Sequence, residues 1–467
     1  MPVRNNDAVQ RIVIIGGGPG GYEAALVAVQ LGADVTLIER DGAGGSAVLT
    51  DCVPSKTLVA TAEIMTELEH SDELGVRGHP AGVDIAAVNA RVRRLALAQS
   101  SDIRARLERE GVRFVEGVGT IESSGRVRVD VRGPGGGTVA GSAPTFDADS
   151  VLVATGAHPR VLADAEPDGE RILNWDQVYD LEQLPERLVV VGSGVTGAEF
   201  ASAYQALGSS VTLVSSRDRV LPGEDSDAAL VLQGVLERRG MEVLTRSRAA
   251  SVRRAGDGVL VTLIDGSVVE GSHCLMAVGS VPNTAELGLE AVNVLLPNGF
   301  VQVDRVSRTN VRGVYAAGDC TGVLMLASVA AMQGRIAMWH ALGDAVQPLD
   351  LKTVSSNVFT DPEIATVGVA QADVDSGAST ALAVKLPLAP NARAKMQGIT
   401  DGFVKLFALP GTRIVVGGVI VAPRASELIF PITLAVQHRL TVDQLANTFT
   451  VYPSLSGSVA EAARQLH

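Results

Sequence analysis

A chain of 467 residues is long enough for about three domains, each with its own core. Hydrophobic residues make up 46% of it and the mean hydropathy is +0.24, yet no apolar run reaches the length of a membrane span; the densest, Ile414 to Ala422, is too short. The formal charge of −13 argues against nucleic acid and anionic membranes as partners, and three widely spaced cysteines, Cys52, Cys274 and Cys320, make neither a disulfide framework nor a metal site. The N-terminal stretch lacks the layout of a signal peptide, so a reducing cytoplasm is the expected location.

Residues Arg11 to Arg40 read as strand, tight turn, helix and strand. Gly16, Gly18 and Gly21, with Pro19 and Gly20 between, spell G-x-G-x-x-G, and Glu39 follows Gly21 by 18 residues, with Arg40 beside it. Such glycines let a backbone approach a pyrophosphate at a helix N-terminus, and the acid accepts from a ribose hydroxyl. The segment GGSAVLTDCVPSK comes next, placing Gly44, Gly45 and Ser46 ahead of Cys52, Pro54 and Lys56. Pro54 suits the first turn of a helix, and a cysteine at that positive end is favoured as thiolate. From Glu63 to Arg109 the pattern is a charged helical pair; Gly117-Val118-Gly119-Thr120 and a glycine-heavy turn at Gly133 to Gly137 follow. Ser150 to Pro159 is a buried strand ending in Ala154-Thr155-Gly156.

Residues Arg187 to Arg219 repeat the opening unit. Gly192, Gly194 and Gly197, with Val195 and Thr196 between, form a second fingerprint before a helix expected over Ala198 to Leu207. The counterpart of Glu39 is Ser215, followed by Ser216, Arg217 and Arg219. A carboxylate there would repel a 2′-phosphate, whereas hydroxyls and guanidinium groups accept it, so NADPH is tolerated and Gly197 stays compatible with NADH. Arg217 and Arg219 also read as solvated surface charge.

Further motifs are Val278-Gly279 with Pro282-Asn283, then TNVRGVYAAGD ending at Gly318-Asp319, then Met325-Leu326-Ala327 opening a helix. Pro348-Leu349-Asp350 marks a boundary, after which VFTDPEIATV spans Val358 to Val367 and Val451 to Gly457 lies near the C-terminus. Together, from Ile12 to about Glu461, these segments resemble the flavoprotein disulfide reductases, such as dihydrolipoamide dehydrogenase.

The resemblance implies an α/β fold: two Rossmann-like dinucleotide-binding domains and a C-terminal α+β dimerisation domain. It places an FAD domain at residues 1–158 and 279–350, an NAD(P) domain at 159–278 and a dimerisation domain at 351–467. It implies FAD in the first site, NADH or NADPH in the second, and a homodimer. In this reading Asp319 accepts from the ribityl chain and the helix at Met325-Leu326-Ala327 points its dipole at the flavin. Lys56 and Glu199, drawn from different domains, form the ion pair beside the reactive flavin nitrogen.

Two departures bear on activity. The family writes its redox segment with two cysteines, and Ala47 stands in place of the first. The family's base segment, H-P-x-x-x-x-E, reads here with Tyr452 before Pro453 and with Gly457 in place of the acid. Thiol–disulfide exchange needs a second thiol and a base poised near neutrality, whereas a tyrosine of ordinary pKa about 10 is ionised to about one part in a thousand at pH 7. The chain is accordingly similar to a subgroup that lacks one active-site cysteine and passes electrons from NAD(P)H to quinones. Rival expectations are a soluble transhydrogenase, a single-cysteine peroxidase or oxidase, and a non-catalytic flavin-binding partner. Cys52 reads either as a flavin-side thiolate or as a small packed residue, and Tyr452 as a proton donor to the quinone or as a core aromatic.

Overall fold

The computed structural model describes residues 9–77, 82–132 and 143–467; the turn expected at Gly133 to Gly137 lies outside the described residues. The chain divides into two compact units, and the expected α/β classes of structure are present in them.

The first unit comprises Met1–Ser55, Ala90–Arg160 and Ser280–Leu349. Its sheet of seven strands runs in the order Val314–Ala316, Ser150–Val153, Arg11–Ile15, Asp34–Glu39, Arg113–Ser123, Arg126–Val131 and Thr145–Asp147. The first five are parallel and the last two close an antiparallel meander. A parallel strand covered on both faces needs apolar residues at its buried positions, and Ile12 to Ile15 supply them. Because side chains alternate, Ile12 and Ile14 join one core and Val13 and Ile15 the other. Helices Pro19–Gln30 and Ala327–Ala341 pack on the first of these faces through small residues. A Cβ on Gly334 would lie 2.0 Å from the Gly20 carbonyl oxygen, so this crossing requires glycine.

The second unit comprises Lys56–Asn89, Val161–Gly279 and Asp350–His467. A parallel sheet orders Glu242–Leu244, Ser210–Val214, Arg187–Val191, His273–Met276 and Ile172–Leu173, beside a three-stranded antiparallel sheet over residues 249–271. A separate five-stranded antiparallel sheet, ordered Ser355–Val358, Glu363–Gly368, Val415–Ala422, Phe403–Ala408 and Leu382–Pro387, carries the C-terminal core with helices Phe430–Gln437 and Gly457–Arg464.

Several boundaries differ from the sequence expectation. The second fingerprint helix covers Val195–Ala206 and starts before Gly197, not at Ala198. Glycine has a poor intrinsic helix propensity, but here the packing of the turn demands it inside the first helical turn. The helix that follows Asp319 starts at Ala327, with Leu326 as its extended cap and Met325 outside. A short helix, Gly45–Leu49, precedes the one that opens at Cys52 and runs to Glu69, and Ile85–Arg109 completes the expected helical pair.

Sequence patterning did not reveal the polar knot that ties the C-terminal sheet to helix Ser226–Arg238. Lys405, on Phe403–Ala408, has a side chain 2% exposed and donates to both oxygens of Asp225 at 2.9 and 2.7 Å. It also lies 2.7 Å from Asp227, whose other oxygen meets Lys385 at 3.0 Å. Asp225 is equally buried and caps the helix, accepting from the N–H groups of Asp227 and Ala228. Removing one member of such a pair strands a buried charge. Lys405→Met is expected to cost about 3–5 kcal/mol in denaturant unfolding, with part recovered by adding Asp225→Asn, which keeps the cap.

Candidate active site

In the first unit the strand Arg11–Ile15 enters the turn at Gly16, which has φ +104°. A Cβ on Gly21 would stand 1.8 Å from the Gly16 carbonyl oxygen, so the helix comes down hard on the turn. Its cap, Gly18, offers no side-chain hydrogen bond, Pro19 opens the helix, and the first turn holds no acid. The positive end of the dipole is therefore left for an external anion. Gly45 presses on Gly18 so closely that a Cβ would lie 2.9 Å from its Cα, while Ser46 is exposed. Glu39 is buried at the end of its strand; its carboxylate accepts from the Gly17 N–H at 2.5 Å and the Asp41 N–H at 2.7 Å. Oε1 also accepts from the Gly42 N–H at 3.4 Å, which leaves one lone-pair position for a ribose hydroxyl. Arg40 points to solvent and pairs with Asp41.

Val118 and Gly119 lie in the strand Arg113–Ser123, and a Cβ on Gly119 would press on Ile15 at 3.2 Å. Thr155 and Gly156 are laced to Asn283: the Thr155 hydroxyl donates to the Asn283 carbonyl at 2.6 Å, and the Asn283 N–H donates to Gly156 at 3.0 Å. Gly318, at φ +84°, donates its N–H to Gln333 Oε1 at 2.8 Å. Burial, and next to it the Asp51 carboxylate, raise the Asp319 pKa to about 6. A hydroxyl donor from a bound chain would relieve that carboxyl, so the residues fit the ribityl-bearing group that the first fingerprint calls for. Leu326 caps the following helix without a side-chain bond, and its first turn also lacks acid.

Cys52 is half-buried at the start of its helix, and the Ser55 hydroxyl donates to its carbonyl at 3.3 Å. Ala47 sits within the short helix before it. Burial raises the thiols of Cys274 and Cys320, the latter to about 11, which leaves both inert near neutrality.

In the second unit Gly192 (φ +114°) and Gly197 repeat the close approach, again at 1.8 Å, and Gly194 caps helix Val195–Ala206 without a side-chain bond or a first-turn acid. Val195 is exposed and Thr196 half-buried at that end. Ser215 does not face outward: it is fully buried, 2.7 Å from Ser193 Oγ, and its oxygen accepts from the Arg217 N–H at 3.1 Å. Ser216 and Arg217 are exposed beside it. Gly279 takes φ +96° after the strand His273–Met276.

Lys56 and Glu199 meet within this unit at 2.7 Å. Glu199 is buried, and its second oxygen accepts from the Phe359 N–H at 2.9 Å. The Lys56 ammonium lies 4.8 Å from the centre of the Phe359 ring, a cation–π contact. Thus a buried carboxylate has two donors and a half-exposed ammonium has two partners, an arrangement that holds a fixed positive charge.

Tyr452 is 86% exposed and is not a core aromatic of this chain. It stands on the segment before helix Gly457–Arg464, where Phe449 and Val451 are exposed beside it.

Residues 10–334 match the profile of the pyridine nucleotide-disulphide oxidoreductases, and residues 354–463 match the dimerisation domain of the same family. The chain belongs to this family. An NAD(P)H dehydrogenase (quinone) from Mycobacterium tuberculosis is 56% identical over 466 residues, covering 98% of this chain and 94% of its own. Dihydrolipoyl dehydrogenase 2 of Haloarcula marismortui is 34% identical over 457 residues, covering 97% and 95%. The crystal structure of LpdA from Mycobacterium tuberculosis aligns with a TM-score of 0.93 at 56% identity, over 98% of this chain and 100% of that one. The flavoprotein disulfide reductase RclA of Escherichia coli shares the fold, with a TM-score of 0.85 at 23% identity over 97% and 99%.

For a pyridine nucleotide-disulphide oxidoreductase, Gln333, Phe359 and Ser193 were the site neighbours that motif reading passed over. Gln333 is a buried amide in an alanine-rich helix, which is a weak signal; Phe359 and Ser193 carry none beyond their neighbourhood to motifs. Asp319 gives a test of the first site. A carboxyl whose pKa is raised by folding contributes stability below its unfolded value near 4, and that contribution is lost as pH rises through about 6. Flavin-free Asp319→Asn should therefore melt higher than the parent above pH 6, with the difference vanishing toward pH 4.

Proposed function

We propose that this protein is an FAD-dependent NAD(P)H:quinone oxidoreductase. The observation that carries the reading is an asymmetry. Both dinucleotide turns and the Lys56–Glu199 pair are intact, while Ala47, Tyr452 and Gly457 stand where disulfide exchange needs a thiol, a base and a carboxylate. The relative named as a quinone-reducing NAD(P)H dehydrogenase supports it along nearly the whole chain. Bound FAD supplies a hydride acceptor and a two-electron donor, so that NAD(P)H, a proton and a quinone become NAD(P)⁺ and a hydroquinone.

The chain's own residues serve this reaction by binding and by charge. Glu39 and Asp319 would hold hydroxyls of the FAD, the two uncapped helix ends would hold pyrophosphates, and Gly44, Gly45, Ser46, Val118, Gly119, Thr155, Gly156 and Gly279 would shape the passages around them. Lys56, fixed by Glu199, would offer positive charge to a ring that gains negative charge on reduction. Exposed Ser216 and Arg217 serve the 2′-phosphate of NADPH. The proposed domain limits are 1–158 with 279–350 for FAD, 159–278 for NAD(P)H and 351–467 for dimerisation.

The functional unit is a homodimer. Phe430, Phe449, Val451 and Tyr452 are 62%, 103%, 78% and 86% exposed on the C-terminal part of the chain, an apolar set that a second copy would cover. Among the described residues no helix is long and apolar enough to cross a membrane, and no disulfide joins the cysteines; we place the protein in the cytoplasm.

With FAD-loaded protein and either nicotinamide, a naphthoquinone is expected to sustain fast turnover and lipoamide none; sustained lipoamide reduction would overturn the reading. Phe449→Glu combined with Phe430→Glu is expected to halve the mass measured by light scattering while leaving the far-ultraviolet circular dichroism unchanged.

A further inference from the structure

The two fingerprints allow a comparison within one molecule. They run in the same register: Gly16, Gly17, Gly21, Glu39 and Asp41 correspond to Gly192, Ser193, Gly197, Ser215 and Arg217. The backbone agrees at each step. The Gly16 N–H donates to Ile38 at 2.8 Å and the Gly192 N–H to Val214 at 2.9 Å; the carbonyls of Gly17 and Ser193 accept at 2.8 Å from Gly44 and Leu221.

Against that common frame one group of atoms has been exchanged. In the first site, Glu39 Oε1 accepts from the Asp41 N–H and Oε2 lies against the Gly17 N–H. A Cβ at Gly17 would stand 3.1 Å from Oε2 and 3.2 Å from Cβ and Cγ of Glu39, so the acid and the bare glycine belong together. In the second site, Ser215 Oγ accepts from the Arg217 N–H, which is the role of Glu39 Oε1. The Ser193 side chain, 5% exposed, fills the side of the slot that Oε2 occupies, with its oxygen 2.7 Å from Ser215 Oγ. Ser215 Oγ also lies 3.3 and 3.2 Å from the carbonyls of Arg217 and Arg219, so its proton has acceptors within the loop. Ser215 thus takes over the bond made by Oε1, Ser193 fills the volume of Oε2, and neither brings charge.

We propose that Ser193 is a determinant of nucleotide specificity: with Ser215 it forms a neutral replacement for the ribose-binding acid, holding the loop that presents Ser216 and Arg217 while leaving a 2′-phosphate unopposed. This rests on the second fingerprint being the NAD(P)H site. It follows that an acid placed at residue 215 alone finds its slot filled, and only Ser193→Gly makes room for it.

The test uses calorimetric titration of NAD⁺ and NADP⁺ into FAD-loaded protein, which reads binding without turnover. The parent is expected to bind both within about tenfold, the scale of one charge-assisted hydrogen bond. Ser215→Glu should weaken NADP⁺ by about tenfold or more with no gain for NAD⁺, because the displaced carboxylate repels without binding. Ser193→Gly/Ser215→Glu should shift the ratio toward NAD⁺ by about a hundredfold, as like charge and a recovered ribose contact act together. Ser193→Gly alone should weaken NADP⁺ by about threefold and leave NAD⁺ unchanged, since only the 2′-phosphate depends on the tied loop. An NAD⁺ preference in Ser215→Glu as large as in the double variant would overturn the proposal. If the double variant fails to fold, Ser193→Gly decides, and an unchanged ratio overturns it. A parent that binds neither nucleotide overturns the underlying site assignment; a parent that binds both, with variants that leave the ratio unchanged, overturns only the role of Ser193.

Discussion

The binding architecture depends on one backbone approach, made twice. At Gly21 and again at Gly197, a helix packs so tightly on the turn before it that a Cβ would sit 1.8 Å from a carbonyl oxygen. Any side chain there would push the helix away from its strand and move its N-terminus off the turn. With glycine, the N–H groups and the positive end of each dipole converge where an anion can sit. Neither helix spends that end on a side-chain cap or a first-turn acid. The two copies differ beside that approach at one pair of positions, Glu39 with Gly17 and Ser215 with Ser193.

Under the proposed function, a disulfide reductase fold keeps one half-reaction and loses the other, and the charged groups fit that division. Hydride transfer asks for aligned rings and a fixed field; in this chain Lys56 is a fixed charge, clamped by a buried Glu199 that is itself held by the Phe359 N–H. None of that involves a thiol. Disulfide exchange asks for two sulfurs and a base, and these reside on separate segments that can change without touching the Lys56–Glu199 pair. Ala47, Tyr452 and Gly457 are such changes. Tyr452, exposed to 86%, is not required by the core of its own chain.

Much of this was legible from residues alone. The strand IVII, the repeated glycines, Glu39, and the TNVRGVYAAGD signature specify local conformations that glycine, β-branched residues and proline enforce over a few positions. Helix limits were less legible, because Gly197 and Gly20 disfavour helix by propensity yet lie within helices that tertiary contact dictates. The inward turn of Ser215 was not legible: a serine after a strand reads as a polar loop residue, and only its distance to Ser193 shows it to be a packed one. Lys405 is a charge within a strand and yet one of the most buried side chains, because Asp225 and Asp227 reach it from a helix remote in sequence.

By itself, then, the sequence determined the family, the two glycine turns and the missing second redox cysteine, since each rests on residue identity within a short span. Tertiary structure alone decided which charges are fixed, which hydroxyls are buried and which aromatic rings are left exposed. Those properties depend on desolvation and on partners brought from remote parts of the chain: Glu199 with Lys56 and Phe359, Ser193 with Ser215, Asp225 with Lys405. Periodicity reports only the neighbours along the chain, whereas the energy of a buried polar group is set by neighbours in space.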